Sequence, residues 1–214
     1  SSSSRLQQFR CVEIRVFLLT TSARKQSSRV AIVTGAASGL GAVIAHAFQK
    51  AGYRIAVADI DFEKASEVAC RIDPSGESAI ALALDVTKKA DFEKALSVLV
   101  QRWDAVQVLV NNAALTVAQR TMEITPDEFD AVLAVNVRGT FQGSQVFGAH
   151  FVKNGHGRII NMTSLAGQNG GTTAGAHYSA SKAAIVALTK VFARDLGKDG
   201  VTVNAIAPGP LDLP

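Results

Sequence analysis

Residues 30–41 read Val30-Ala31-Ile32-Val33-Thr34-Gly35-Ala36-Ala37-Ser38-Gly39-Leu40-Gly41. An apolar run ends in a turn holding three glycines, and a helical periodicity follows from Ala42 to Ala51, closed by Gly52. A short unbroken apolar run marks a strand buried on both faces, as in parallel sheets. Glycines at the turn let an anion reach the free N–H groups and the positive end of the next helix, where side chains would hold it away. The spacing is G-x-x-x-G-x-G rather than the more general G-x-G-x-x-G. Taken alone, such a turn is also compatible with a plain strand–helix connection.

The flanking sequence repeats the alternation. Buried strands are expected at 54–58, 79–84, 106–110, 158–162 and 201–206, and helices at 62–72, 88–103 and 178–196. A further helix is expected from Pro126, with Thr125 as N-cap, at least to Ala134 and on to Phe151. This order predicts an α/β fold: a single doubly wound parallel sheet of the Rossmann type, with helices on both faces and right-handed crossovers. Asp59 ends the second strand, where an acid can accept hydrogen bonds from ribose hydroxyls. It also repels a 2′-phosphate, and the glycine turn offers no Lys or Arg to neutralise one. NAD is therefore favoured over NADP, with Ile60 grouped beside Asp59. The alternatives are that Asp61 takes the role, or that Asp59 only caps the following helix.

The net charge of +4 is uneven. Residues 1–29 hold Arg5, Arg10, Arg15, Arg24, Lys25 and Arg29 against Glu13 alone, so the remainder sums to −1. The basic balance thus belongs to the leader and argues for no nucleic-acid partner. No apolar run approaches the roughly 20 residues of a membrane helix. Cys11 and Cys70 are the only cysteines, so no disulfide framework is expected and a reducing compartment fits. The four histidines show no metal-ligand spacing, and no metal is expected. Residues 1–28, rich in Ser and Arg, resemble an organelle transit peptide, with a disordered tail as the other reading. The compartment is cytoplasmic, or a mitochondrial or other organellar matrix if the leader is a targeting signal. The domain is taken as 29–214.

With these features in place, the chain resembles the short-chain dehydrogenase/reductase family across about residues 29–214. Thr34–Gly41 matches T-G-x-x-x-G-x-G, placing Gly35, Ser38, Gly39, Leu40 and Gly41 at the cofactor. Asp85-Val86 stands where the family sets an aspartate and its neighbour against the adenine. Asn111-Asn112-Ala113-Ala114 resembles N-N-A-G, with Ala114 in the last place, and Pro208-Gly209 with nearby Leu211 follows the sixth strand. Tyr178-Ser179-Ala180-Ser181-Lys182 matches Y-x-x-x-K, and Ser164 and Asn136 match the family's other two catalytic positions. The gap from Ser164 to Tyr178 is one residue longer than the family's, and Gly170-Gly171-Thr172-Thr173 can absorb the extra residue as a loop bulge.

The resemblance implies hydride transfer between a nicotinamide cofactor and a secondary alcohol or ketone, with a 3-oxoacyl thioester as the alternative substrate. A free phenol titrates too high to exchange protons readily at neutral pH, and a nearby cation favours its anion. Lys182, four residues beyond Tyr178 on a helix, projects from the same face. The family reading adds that Lys182 holds the nicotinamide ribose. Ser164 would bond the substrate oxygen, and Asn136 would hold a water linking Lys182 to solvent. His177 is expected as a loop or substrate-rim residue. The sequence stops at Pro214, whereas family members continue with a substrate-covering segment and an edge strand, and Leu213 stands where they often have threonine. A C-terminally incomplete chain is therefore expected, with a homodimer or homotetramer if completed. A cofactor-binding or interaction module without turnover is the remaining alternative.

Overall fold

Each of the six apolar runs forms a strand, and all six join one parallel sheet in the computed structural model, which describes residues 29–171 and 174–210. The leader, Leu211 and Leu213 lie outside the described residues. The strands are β1 (Val30–Thr34), β2 (Arg54–Asp59), β3 (Ala79–Ala83), β4 (Val108–Asn111), β5 (Gly157–Met162) and β6 (Val201–Ile206), in the order β3-β2-β1-β4-β5-β6. The order reverses between β1 and β4, so the two loops leaving their C-terminal ends diverge around a crevice. Val33 pairs with Val110 in that register. The Gly35 turn and Asn112 therefore emerge side by side.

Two core layers sandwich the sheet, and β1 shows why its sequence is continuously apolar. Val30 and Ile32 enter one layer, Ala31 and Val33 the other, and all four are fully buried. The small layer is closed by α1 (Gly39–Lys50) and α2 (Phe62–Ile72). The aromatic-rich layer lies under α3 (Lys89–Trp103), α5 (Gly139–Lys153) and α7 (Ala176–Leu196). Phe92, Phe147 and Phe151 are fully buried there, each contributing about 2–3 kcal/mol of transfer free energy. Gly157 makes room for one of them, since a Cβ at its position would run into the Phe151 ring.

The helix expected from Pro126 to Phe151 is interrupted. α4 (Pro126–Leu133) starts on a full capping box between Thr125 and Glu128. Residues Ala134–Arg138 then form a π turn before α5 continues the rod to Lys153. The inserted residue rotates α5 relative to α4, and Asn136 sits within the π turn, fully buried. β4 begins two residues later than expected, and a short α6 (Ala166–Asn169) forms where no element was expected. Among the described residues no helix is long and apolar enough to cross a membrane.

Candidate active site

The glycine turn enters α1 sooner than its sequence suggests. Gly39 is the first helical residue, so Gly39, Leu40 and Gly41 form the first turn rather than preceding it. Gly35 has φ +63° and Gly39 φ +51°, backbone states that favour glycine. A Cβ at Gly35 would sit 2.6 Å from the Ala113 Cα, and one at Gly41 would strike the Gly35 carbonyl oxygen. The turn is thus closed against the β4 exit with no room for a side chain at Gly35 or Gly41. Thr34 Oγ1 accepts from the N–H groups of Asn112 and Ala113, both at 3.1 Å, and Asn112 Nδ2 donates to the carbonyls of Thr34 and Gly35.

α1 starts differently from α2 and α4, and shares with α7 an N-cap that makes no side-chain bond and an acid-free first turn. Asp61 caps α2, which has Glu63 in its first turn, and Thr125 caps α4, followed by Asp127 and Glu128. Ser38 makes no side-chain cap bond, and the first turn of α1 contains no acid. The first N–H groups and the positive dipole end are left for an anion. These residues fit a dinucleotide pyrophosphate.

Asp59 stands at the end of β2. Its Oδ2 accepts from the Ala37 N–H at 3.0 Å and its Oδ1 from the Asp61 N–H at 3.1 Å. The carboxylate therefore ties the glycine turn to β2. The capping role weighed for Asp59 falls to Asp61, which accepts from the Lys64 N–H and pairs with its ammonium at 2.8 Å. Ile60 is 74% exposed beside this carboxylate. Past β3, Asp85 accepts from the Thr87 hydroxyl at 2.7 Å and pairs with Lys88 at 3.1 Å. The Thr87 hydroxyl bond does most to hold its carboxyl below the usual range, with the Thr87 N–H and Lys88 adding to it against an opposing effect of burial. Val86 is buried and packs under Gly139 at the start of α5.

The Y-x-x-x-K pair lies in the first two turns of α7. Tyr178 is half-buried, and Lys182 is only 3% exposed, with its Nζ 5.5 Å from the Tyr178 ring centroid. Nζ donates to the Met162 carbonyl at the end of β5 at 2.8 Å. Burial pushes the Lys182 ammonium down to about 8. Ser164 follows two residues beyond Met162. Its Oγ accepts the Ala166 N–H at 3.1 Å, so it also caps the turn into α6. α6 packs on α7 so closely that a Cβ at Gly167 would meet the Lys182 carbonyl carbon at 2.7 Å. Pro208 and Gly209 come to the same place: the Pro208 carbonyl accepts the Leu165 N–H, and Gly209 lies against the Leu165 side chain. Gly170 and Gly171, with φ +86° and +70°, form the loop after α6.

Two residues have surroundings that the sequence did not show. Both amide hydrogens of Asn136 are committed, to the Leu115 carbonyl at 3.1 Å and Ser181 Oγ at 2.9 Å, and its Oδ1 accepts the Leu115 N–H at 2.7 Å. The side chain holds the loop after Asn112-Ala113-Ala114 to α7. Ser181 completes the link by donating to the Tyr178 carbonyl at 2.6 Å. His177 is neither in a loop nor at a rim: it is fully buried in the first turn of α7.

A second polar chain lies beneath the site. Asn111 Nδ2 donates to Ser144 Oγ and Asn161 Oδ1, and Asn161 Nδ2 donates to Thr189 Oγ1. It joins α5, β4, β5 and α7 through the core, and Gly143 admits it, since a Cβ there would lie 2.5 Å from Asn111 Oδ1. A polar residue inside an apolar strand run, as in Asn161, was the available signal. No group of three or more His, Cys, Asp or Glu able to hold a metal occurs among the described residues.

A parallel sheet reversing at a glycine turn, with Tyr and Lys on the helix after the fifth strand, defines a dinucleotide-binding oxidoreductase architecture. Similarity to known proteins narrows it. The short chain dehydrogenase family profile matches residues 29–214, and the chain belongs to the short-chain dehydrogenase/reductase family, whose members here are oxidoreductases of CH–OH groups. A sorbitol dehydrogenase of Cereibacter sphaeroides is 40% identical over 185 residues, 86% of this chain and 71% of that protein. An NAD-dependent glycerol dehydrogenase of Listeria innocua is 34% identical, over 85% of this chain and 70% of that one. The crystal structure of 3-ketoacyl-(acyl-carrier-protein) reductase from Brucella melitensis complexed with NADH superposes with a TM-score of 0.81. It is 33% identical, and the match covers 87% of this chain and 77% of that one.

Proposed function

We propose that this chain is an NAD-dependent dehydrogenase that interconverts a secondary alcohol of the polyol class and its ketone, with Tyr178 as the proton-transfer group. The observation that carries the reading is Lys182: a buried ammonium that, among the described residues, is bonded to one carbonyl and held against the Tyr178 ring. A fold gains nothing from burying an ammonium so sparsely bonded, whereas a charge there stabilises the negative charge that develops on the tyrosine oxygen.

Bound NAD supplies the hydride acceptor, held by Gly35, Ser38, Gly39, Leu40 and Gly41 at its pyrophosphate. Asp59 and Ile60 take the adenosine ribose, Asp85 and Val86 the adenine, and Asn112, Ala113, Ala114, Pro208, Gly209 and Leu211 the rest of the cofactor cleft. The Asp59 carboxylate supports NAD over NADP by repelling a 2′-phosphate. In oxidation the Tyr178 oxygen takes the proton of the alcohol. Ser164 accepts the Ala166 N–H, which leaves its own hydrogen to donate to the substrate oxygen. Lys182 has two ammonium hydrogens beyond the one on Met162, available to a ribose hydroxyl and to solvent. Asn136 holds the Tyr178 turn in register through Ser181 and keeps the family role of holding a water that links Lys182 to solvent.

The polyol class is favoured by the names of the sorbitol and glycerol dehydrogenase relatives. A 3-oxoacyl thioester is the second reading, favoured by the Brucella melitensis neighbour. Phe129, Phe141 and Val191 are exposed apolar side chains on α4, α5 and α7, the helices through which the family-type homodimer or homotetramer would form. Turnover of a panel of polyols with NAD and with NADP, and of a 3-oxoacyl thioester with NADH, tests the reading. We expect polyol oxidation with NAD, lost by about 10²–10⁴-fold in Tyr178→Phe. We also expect Asp59→Ser to move the NAD/NADP ratio of kcat/KM toward NADP by about tenfold or more, roughly 1.4 kcal/mol. Unaltered turnover in Tyr178→Phe refutes the proton-transfer assignment.

A further inference from the structure

His177 is fully buried at the second position of α7, immediately before Tyr178. Its Nδ1 accepts the Tyr178 N–H at 3.0 Å. That N–H is one of the first four of the helix, which have no partner within it. Gly175, at the N-cap, has no side chain to take it. The imidazole thus does from inside the helix what a Ser or Asp N-cap does from outside.

The bond also fixes the tautomer. With Nδ1 accepting, the neutral ring carries its hydrogen on Nε2, and Nε2 is buried with no hydrogen-bond partner among the described residues. The bond to the Tyr178 N–H is the polar contact that the ring makes among the described residues. The space is made by Gly175: a Cβ there would strike the ring at Cε1 and lie 2.6 Å from Nδ1 and 3.1 Å from the Val117 carbonyl oxygen. From α4, Glu128 lies within electrostatic reach, its carboxylate engaged by the N–H and hydroxyl of Thr125. The Tyr178 peptide is consequently held at both ends, its N–H by His177 and its carbonyl by Ser181.

We propose that His177 is a positioning residue for Tyr178: its neutral imidazole caps the start of α7 through Nδ1 and so sets the approach of the phenol to the reacting alcohol. This rests on Tyr178 being the proton-transfer group. Three variants of the full chain test it beside Tyr178→Phe. In His177→Asn the side-chain oxygen falls near the place of Nδ1 and keeps an acceptor. His177→Leu keeps a similar branched shape without the acceptor, and Gly175→Ala displaces the ring. Steady-state kcat and KM are measured with NAD and the best substrate of the panel above, and NADH binding by fluorescence titration reports folding. The expected result is that His177→Asn retains kcat within about twofold, while His177→Leu and Gly175→Ala lose about tenfold or more at little-changed KM for NAD. Nitrogen NMR of the parent should show Nδ1 unprotonated and Nε2 protonated at neutral pH.

Equal kcat in the Asn and Leu variants overturns the proposal, as does the opposite tautomer or an imidazolium. Should the Leu variant not bind NADH, the comparison of His177→Asn with Gly175→Ala decides in the same way. Loss of turnover in Tyr178→Phe with equal Asn and Leu variants sinks the role of His177 alone. Retained turnover in Tyr178→Phe sinks the assignment of Tyr178 and this proposal with it.

Discussion

Replacing Lys182 by Met should abolish turnover and, at neutral pH, remove a burden on the fold. The ammonium is 3% exposed and, among the described residues, donates only to the Met162 carbonyl, and burial lowers it from its ordinary 10.5 to about 8. That fall corresponds to about 3 kcal/mol, at 1.36 kcal/mol for each tenfold change in proton affinity. The folded state binds this proton less tightly than the unfolded state, so the penalty is full below about pH 8. It is relieved as pH rises from about 8 to 10.5, where the unfolded chain holds the extra proton and stability climbs with pH. In the variant the Met162 carbonyl loses its donor, a cost of about 1–3 kcal/mol that offsets much of the gain at neutral pH. The pH dependence is the cleaner quantity, because the lost hydrogen bond is common to every pH. Urea unfolding of parent and Lys182→Met, without cofactor, should give a stability difference that shifts by roughly 2–3 kcal/mol in favour of the parent between pH 7 and pH 10. Titrations elsewhere cancel in that difference. A flat difference across this range would refute the argument that burial of a charged Lys182 strains the fold.

Two further outcomes are set by the site geometry. Gly35→Ala should eliminate NADH binding in a fluorescence titration and lower stability by about 1–2 kcal/mol from the positive φ alone, with the 2.6 Å approach to Ala113 adding to it. Binding at the parental Kd would show that the turn does not form the cofactor cradle. Ser181→Ala strands one Asn136 amide hydrogen in the core and frees the Tyr178 carbonyl of its second donor. It should cost about 1–3 kcal/mol, read as a fall in Tm of roughly 2–4 °C per kcal/mol, together with lower kcat. An unchanged Tm would mean that the Asn136–Ser181 bond carries no stability.

Much of the frame was legible because it is written in local patterns. β1, β6 and α2 fall where the apolar runs and helical period put them, and Gly52 closes α1 as its position suggested. The site motifs were legible for a related reason: a glycine required by positive φ, or a Tyr and Lys one helical turn apart, declares itself within a few residues. The π turn was not legible, since Ala134–Arg138 reads as ordinary helix and gains its extra residue only in packing. Nor was the task of Asn136, whose partners Leu115 and Ser181 lie 21 and 45 positions away. His177 was misplaced because helix periodicity gives the direction of a side chain but not what fills the space it enters. There the absent Cβ of Gly175 made the room.

The sequence by itself determined the buried strands, the helices between them and the chemical groups available, because period, turn residues and caps act over a few bonds. The tertiary structure alone decided that Lys182 is buried, that Asn136 ties the Leu115 loop to Ser181 of α7, and that the Tyr178 backbone is held from both sides. Burial and hydrogen-bond choice are set by atoms that distant segments bring together, and desolvation, which makes Lys182 costly to the fold, exists only once they have closed around it.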